Sequence, residues 1–117
     1  MGNRMHLISV IIPCYNGEKF IKETIQSVLD QTYSPIEILV VDDGSTDKSF
    51  EIASTFNEVC AVKQVNSGVA SARNFGFEQS KGDFVCFLDA DDWLYPNTIE
   101  DKLNALLSSN AAISHGK

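Results

Sequence analysis

Apolar residues along this chain fall into short unbroken runs separated by stripes of helical spacing. Leu7 to Ile12 is a nearly continuous β-branched run, which predicts a buried strand stopped by Pro13. Beyond Asn16-Gly17, the apolar positions Phe20, Ile21, Thr24, Ile25, Val28 and Leu29 follow the i, i+4 rule and predict an amphipathic helix ending near Gln31. Ile36 to Val41 predicts a second strand that runs directly into Asp42 and Asp43. Gly44 then gives a turn, Ser45 or Thr46 stands ready to cap, and a weaker helix passes through Phe50, Ala53 and Phe56. Asp47, in the first turn of that helix, reads as a partner for the helix dipole and nothing more. Residues 60–65 predict a third strand. Residues 66–80 predict a third helix, capped by Asn66 or Ser67, and residues 84–88 a fourth strand. Pro96 suits the first turn of a last helix, striped by Ile99, Leu103, Leu106 and Leu107.

Strands alternating with helices in this way imply an α/β fold of the Rossmann-like kind. Three layers are expected, with a mainly parallel sheet covered on both faces. No repeat, low-complexity stretch or linker divides the chain, so residues 1–117 are expected to form one domain. In such sheets ligands bind outside the carboxyl ends of the strands. Here those ends carry Pro13-Cys14-Tyr15-Asn16, Asp42-Asp43-Gly44-Ser45, Asn66-Ser67-Gly68 and Asp89-Ala90-Asp91-Asp92, all polar and two of them doubly acidic.

Composition narrows the chemistry. A formal net charge of −7 argues against nucleic acid as a partner, because an acidic surface repels phosphate backbones. A phosphorylated small molecule remains compatible if a divalent cation lies between it and the protein. Cys14, Cys60 and Cys86 are widely spaced, lie in or beside apolar runs and suit a reducing, cytosolic setting as small hydrophobes. His6 and His115 have no partner spacing for zinc. No run of apolar residues is long enough to span a membrane.

The acidic strand ends are the candidate site. If "FLDADDW" continues the extended fourth strand, Asp89 and Asp91 project to the same side. Two converging carboxylates suit a hard cation, Mg²⁺ or Mn²⁺, whose remaining positions phosphate oxygens can fill. Turn and capping roles account for one aspartate at each strand end, but not for so many. Asp43 could accept hydrogen bonds from a nucleobase or a ribose. Arg73, one and a half turns into the third helix, could either pair with a carboxylate or reach the base or diphosphate of a nucleotide. Neither G-x-G-x-x-G after the first strand nor G-x-x-x-x-G-K-[ST] anywhere is present, so NAD-binding and P-loop readings fail. "ILVVDDGS" also resembles the acidic pair of phosphoacceptor receiver domains, with Asp89 as the acceptor. In receivers, however, that pair ends the first strand, and a strand-end lysine follows the phosphoacceptor.

Taken together, "SVIIPCYNGEKFIKETIQSVLDQTY", "EILVVDDGSTDKS", "NSGVASARNFG" and "GDFVCFLDADDWLYP" resemble, in order and spacing, the start of a family-2 glycosyltransferase of the GT-A fold. The resemblance runs from about Ile8 to Leu107. It implies an incomplete GT-A unit, the N-terminal half that binds a nucleoside-diphosphate sugar, most often a UDP sugar. The implied reaction is inverting transfer to a hydroxyl of a glycan or lipid-linked acceptor in polysaccharide synthesis. By the same resemblance, Pro13 and Tyr15 flank the nucleobase, Asp43 binds it and Arg73 contacts the nucleotide. Asp89 and Asp91 match the D-x-D, with Asp91 the metal ligand, Asp89 near the ribose and a second candidate ligand, and Asp92 beside them. The catalytic base is expected beyond Lys117, so this chain alone is expected to be inactive. The expected setting is the cytoplasm, including the inner face of the membrane.

Overall fold

The computed structural model describes residues 6–109. Its elements, in chain order, are β1 (Ile8–Cys14), α1 (Ile21–Leu29), β2 (Ile36–Asp42), α2 (Ser49–Ser54), β3 (Val59–Lys63), α3 (Val69–Gln79), β4 (Phe84–Phe87) and α4 (Thr98–Ser109). The strands form one sheet in the order β3-β2-β1-β4, and every neighbouring pair is parallel. The chain therefore winds outward from β1 to β3. It then returns through α3 to place β4 on the other side of β1. That reversal opens a crevice at the carboxyl ends of β1 and β4.

Alternation along the strands divides the core. Val10, Ile12 and Cys14 of β1 join Ile38 and Val40 of β2 on one face, packed with residues of α1, α2 and α4 that include Ile25, Ala53 and Leu103. The opposite face, with Ile11 and Val41, is covered by α3. Close contact there depends on Gly76: a Cβ at that position would lie 2.5 Å from Ile11 Cγ2 and 3.3 Å from Val41 Cγ2. This is the three-layer arrangement expected from the alternation of strands and helices.

Several boundaries differ from the expectation. β1 is not stopped by Pro13 but runs through it to Cys14. The Ile11 carbonyl accepts from Leu88 on the β4 side, whereas the Cys14 carbonyl accepts from Asp43 on the β2 side. Alternation thus turns the Pro13 nitrogen toward the β4 side, beyond the last paired residue, Phe87, where no ladder bond is lost. β3 ends at Lys63, although the Gln64 N–H still donates to the Asp42 carbonyl at 2.8 Å while its side-chain amide donates to Asp43 Oδ1 at 2.8 Å. Pro96 precedes α4 rather than lying in its first turn. Of the stripe on α4, Ile99 and Leu103 are buried while Leu106 and Leu107 are partly exposed. Cys60 is exposed, contrary to its reading as a small core hydrophobe. His115 lies outside the described residues.

Candidate functional site

Two loops at the carboxyl edge are laced together. The N–H of Asn16 donates to Ser45 Oγ at 2.8 Å, and Asn16 Oδ1 accepts the N–H of Thr46 at 2.8 Å. Gly17 N–H donates to Ser49 Oγ, Glu18 N–H to Asp47 Oδ2, and Lys48 N–H to Glu18 Oε1. These bonds hold the β1–α1 loop against the β2–α2 loop, with Asn16 in a left-handed conformation at φ 50°. Asp47 does more than complement a dipole. Its Oδ1 accepts both the N–H and the hydroxyl of Ser49, so Asp47, rather than Ser45 or Thr46, ties down the start of α2. Burial would raise the Asp47 pKa, but these hydrogen bonds and that from Glu18 outweigh it and hold the carboxyl below its ordinary range.

The paired aspartates after β2 have separate roles. Asp42 points inward and is 1% exposed; its Oδ2 accepts from Ser45 N–H at 3.0 Å. Asp43, 4% exposed, receives four hydrogen bonds: Gln64 Nε2 at 2.8 Å and Ser67 N–H at 2.7 Å on Oδ1, Gly68 N–H at 3.0 Å and Asn66 Nδ2 at 3.3 Å on Oδ2. Burial pushes its pKa up, but the donors from Gln64, Ser67 and Gly68 prevail and hold it below the ordinary carboxylate range. Neither Asn66 nor Ser67 caps α3 with its own side chain. Gly68, at φ 102°, is the N-cap, and Asp43 at the end of β2 accepts the N–H groups of Ser67 and Gly68 that lead into the helix.

Tyr15 stands at the centre of the edge, more than half exposed. A hollow of about 70 Å³ is walled by Pro13, Cys14, Tyr15, Asp43 and Val69. A second, of about 270 Å³, is walled by residues including Pro13, Tyr15, Phe20, Ala90 and Asp91. The two hollows share Pro13 and Tyr15, with Asp43 lining the smaller and Asp91 the larger. Arg73 and Asp89 line neither hollow and instead pair with each other, Nη2 to Oδ1 at 3.3 Å.

Residues 89–92 are not extended. The Asp92 N–H bonds the Asp89 carbonyl at 3.0 Å and closes a turn, so the spacing of two does not aim Asp89 and Asp91 at one point as an extended strand would. The turn sorts the acids. Asp89 faces Arg73, Asp92 Oδ1 accepts the N–H of Trp93 at 2.8 Å, and Asp91 makes no hydrogen bond or ion pair among the described residues. No three His, Cys, Asp or Glu side chains among the described residues converge to hold a metal. One free carboxylate on a cavity wall nevertheless fits Mg²⁺ or Mn²⁺, which commonly takes one or two protein carboxylates and completes its shell with water and phosphate oxygens.

Thr24, Ser27 and Gln31 escaped the sequence reading, which placed Thr24 in the apolar stripe of α1. All three bond the segment from Ala90 to Ile99. The available signal was their spacing of three and four on one helical face, polar where burial was expected.

A family model described as glycosyl transferase family 2 matches residues 9–117. A protein named an uncharacterized glycosyltransferase from Haemophilus influenzae is 42% identical over 119 residues, covering 96% of this chain and 47% of the relative. Glycosyltransferase GlyA of Streptococcus pneumoniae is 39% identical over 113 residues, covering 93% of this chain and 16% of its own length. Among solved structures, Staphylococcus aureus TarS 1–349 in complex with UDP-GlcNAc superposes with a TM-score of 0.81 at 34% identity, over 86% of this chain and 31% of that one. The mannosyltransferase PcManGT from Pyrobaculum calidifontis, in complex with GDP-Man and Mn²⁺, gives a TM-score of 0.67 at 27% identity, over 78% of this chain and 29% of that one. The chain thus spans about half the length of the Haemophilus relative and less of the others.

Proposed function

The chain belongs to glycosyl transferase family 2, and from that premise we propose that it forms the donor-binding half of a GT-A glycosyltransferase. The observation that carries the reading is a pair of hollows that share Pro13 and Tyr15, one walled by Asp43 and the other by Asp91, at the point where strand order reverses. The donor is a nucleoside-diphosphate sugar. A UDP sugar is favoured by the TarS complex with UDP-GlcNAc, and the PcManGT complex supports a divalent cation.

Each residue then has a task. Pro13 and Tyr15 give the nucleobase an apolar, aromatic wall. Asp43 lines the smaller hollow with its acceptor sites filled, and the longest of its four bonds, 3.3 Å from Asn66, is the one a base N–H can displace. Asn66 loses little by this, because its Nδ2 also donates to the Asp43 carbonyl at 2.9 Å. Arg73 and Asp89 form an exposed pair of the kind worth only about 0–1 kcal/mol, so a diphosphate can draw the guanidinium away and leave Asp89 to the ribose. Asp91, the uncommitted carboxylate, would hold Mg²⁺ or Mn²⁺, with Asp89 the second candidate ligand. Bound there, the ion supplies Lewis-acid neutralisation of charge developing on the departing diphosphate.

The reaction proposed is inverting transfer to a hydroxyl of a glycan or lipid-linked acceptor. The base that takes the acceptor proton would be supplied beyond Lys117. Glu100 and Asp101 are engaged on α4, accepting from Thr32 Oγ1 and Asn97 Nδ2, and are not offered for that step. No specific observation favours the phosphoacceptor alternative, and the family match includes the acidic strand ends on which it relied.

Thermal melting with UDP, GDP and ADP, each with and without Mn²⁺, tests this reading. A rise in melting temperature with UDP that grows when Mn²⁺ is added is the expected result. An unchanged melting temperature with every nucleotide would remove the donor site.

A further inference from the structure

Asp91 lies in the irregular stretch between β4 and α4, where no ladder or helix of its own fixes the backbone. α1 holds it instead. Thr24, 1% exposed, places Oγ1 2.6 Å from the Ala90 carbonyl oxygen and 2.6 Å from that of Asp92. One helical step on, Ser27 Oγ accepts the N–H of Leu94 at 3.1 Å. Gln31, just past the end of α1, donates from Nε2 to the Tyr95 carbonyl at 2.6 Å and accepts the N–H of Ile99 at 2.9 Å through Oε1. These side chains form a polar ladder along one face, and the acidic loop is laid down on it rung by rung.

We infer that Thr24 is a positioning residue for Asp91: its hydroxyl holds the carbonyls of the residues immediately before and after Asp91 and so presents that carboxylate to the cavity beside Tyr15. A threonine hydroxyl has one proton. Three carbonyls crowd it here, since that of Phe20 lies 3.1 Å away, so the two from the acidic loop share what a single donor can give. Both neighbours' carbonyls are turned inward to the helix, while Asp91 itself lies exposed on the cavity wall. Shape alone does not explain the residue. Valine would fill the same space, yet it would leave those half-buried carbonyls without their donor, and the loop would shift to let water reach them.

The inference rests on Asp91 as the metal's ligand, and the test separates the two ideas. Trp93, the sole tryptophan, lies two residues beyond Asp91 in the same loop and is 56% exposed, so its emission reports on the loop. Two readouts are taken on wild type, Thr24→Val and Thr24→Ser: Trp93 anisotropy without ligand, and quenching of Trp93 by Mn²⁺ with UDP present. Thr24→Val should lower the anisotropy and raise the Mn²⁺ concentration for half-quenching by about tenfold or more, the usual penalty for losing a group that orients a ligand. Thr24→Ser, which keeps the hydroxyl, should restore both. Should Thr24→Val fail to fold by circular dichroism, Ser27→Ala, which frees the Leu94 N–H, should shift both readouts in the same direction by a smaller amount. A folded Thr24→Val with wild-type anisotropy and half-quenching, or a Thr24→Ser as impaired as the valine variant, overturns the inference. So does a folded Ser27→Ala indistinguishable from wild type where the valine variant does not fold. Wild-type emission indifferent to Mn²⁺ and UDP, together with a lowered anisotropy in Thr24→Val, would sink the metal role of Asp91 and leave Thr24 as the anchor of the loop.

Discussion

Replacing Asp43 with asparagine changes one oxygen to an NH₂ group and should nonetheless be among the most damaging substitutions at this edge. The carboxylate accepts on both oxygens, each of which takes one backbone N–H and one side-chain amide. An asparagine amide offers one acceptor oxygen. Whichever way it is turned, its NH₂ faces a backbone donor, either Ser67 at 2.7 Å or Gly68 at 3.0 Å. Hydrogen bonds to a charged group contribute about 1.5–3 kcal/mol each, and a buried donor left unpaired costs about 1–3 kcal/mol. Relaxation of the Gln64 and Asn66 side chains recovers part of this, so the expected loss is about 2–4 kcal/mol. That is a large share of the roughly 5–15 kcal/mol that holds a domain together. The pH dependence follows from the lowered pKa of Asp43. A carboxyl depressed in the folded state contributes its stability above the unfolded value, near 3.9, and loses it as pH falls through the folded value. Urea denaturation of wild type and Asp43→Asn at neutral pH, and again in steps down through that range, should show a wide gap that narrows with acid. Equal midpoints at neutral pH, or a gap that stays constant down to acid, would refute the account of Asp43 as the group that ties the start of α3 to the end of β2.

Other substitutions probe other parts of the edge. Asp91→Asn should abolish the Mn²⁺-dependent part of UDP binding in calorimetry and leave the melting temperature of the free chain unchanged, because that carboxylate bonds nothing among the described residues. Arg73→Gln should alter stability by no more than about 1 kcal/mol, as expected for an exposed pair, yet weaken UDP more than uridine in the same titration. Gly76→Ala should cost about 1–3 kcal/mol in urea unfolding, since its Cβ would lie 2.5 Å from Ile11 Cγ2 and force α3 off the sheet. A thiol reagent should modify Cys60 first and Cys14 last, as burial raises the Cys14 pKa and covers the sulfur; mass spectrometry of the partly labelled chain gives the order.

The elements themselves could be read from the sequence because their signals are local. β-branched runs such as Ile36 to Val41 and the stripe Ile21, Ile25, Val28 carry their own periodicity, and alternation of the two kinds of segment implies the sheet. What could not be read locally was who satisfies whom. The donors at the start of α3 go to Asp43, some twenty-five residues earlier, and Ile99 N–H in the first turn of α4 goes to Gln31, sixty-eight residues earlier. A rule that looks only at neighbouring residues therefore points to Asn66 or Ser67 as the cap of α3 and to Pro96 as part of the first turn of α4. Pro13 was misjudged for a related reason: whether a proline ends a strand depends on the side to which its nitrogen points, and the early end of β4 decides that. Thr24 was lost because a buried threonine on an apolar stripe looks like any small β-branched residue until the carbonyls it faces are known.

The gathering of acids at one rim, a repulsive arrangement if each charge were bare, resolves once these bonds are traced. Asp43 and Asp47 serve as acceptors for the backbones that begin α3 and α2, and Asp42 holds the turn at Ser45. Asp89 has Arg73, and Asp92 has the N–H of Trp93. Asp43, Asp47, Asp89 and Asp92 each have a donor or a cation already, with no ligand bound; Asp42 is half satisfied, since its buried Oδ1 has no hydrogen-bond partner among the described residues. Asp91 is the exception: it is held out on a cavity wall by a loop that α1 anchors, and it has no donor among the described residues. A carboxylate that contributes nothing to the fold and is nonetheless fixed in place at a strand-order reversal is the group from which a ligand-bound cation gains most. The case for the donor site therefore rests less on the number of aspartates than on the one that the rest of the edge leaves free.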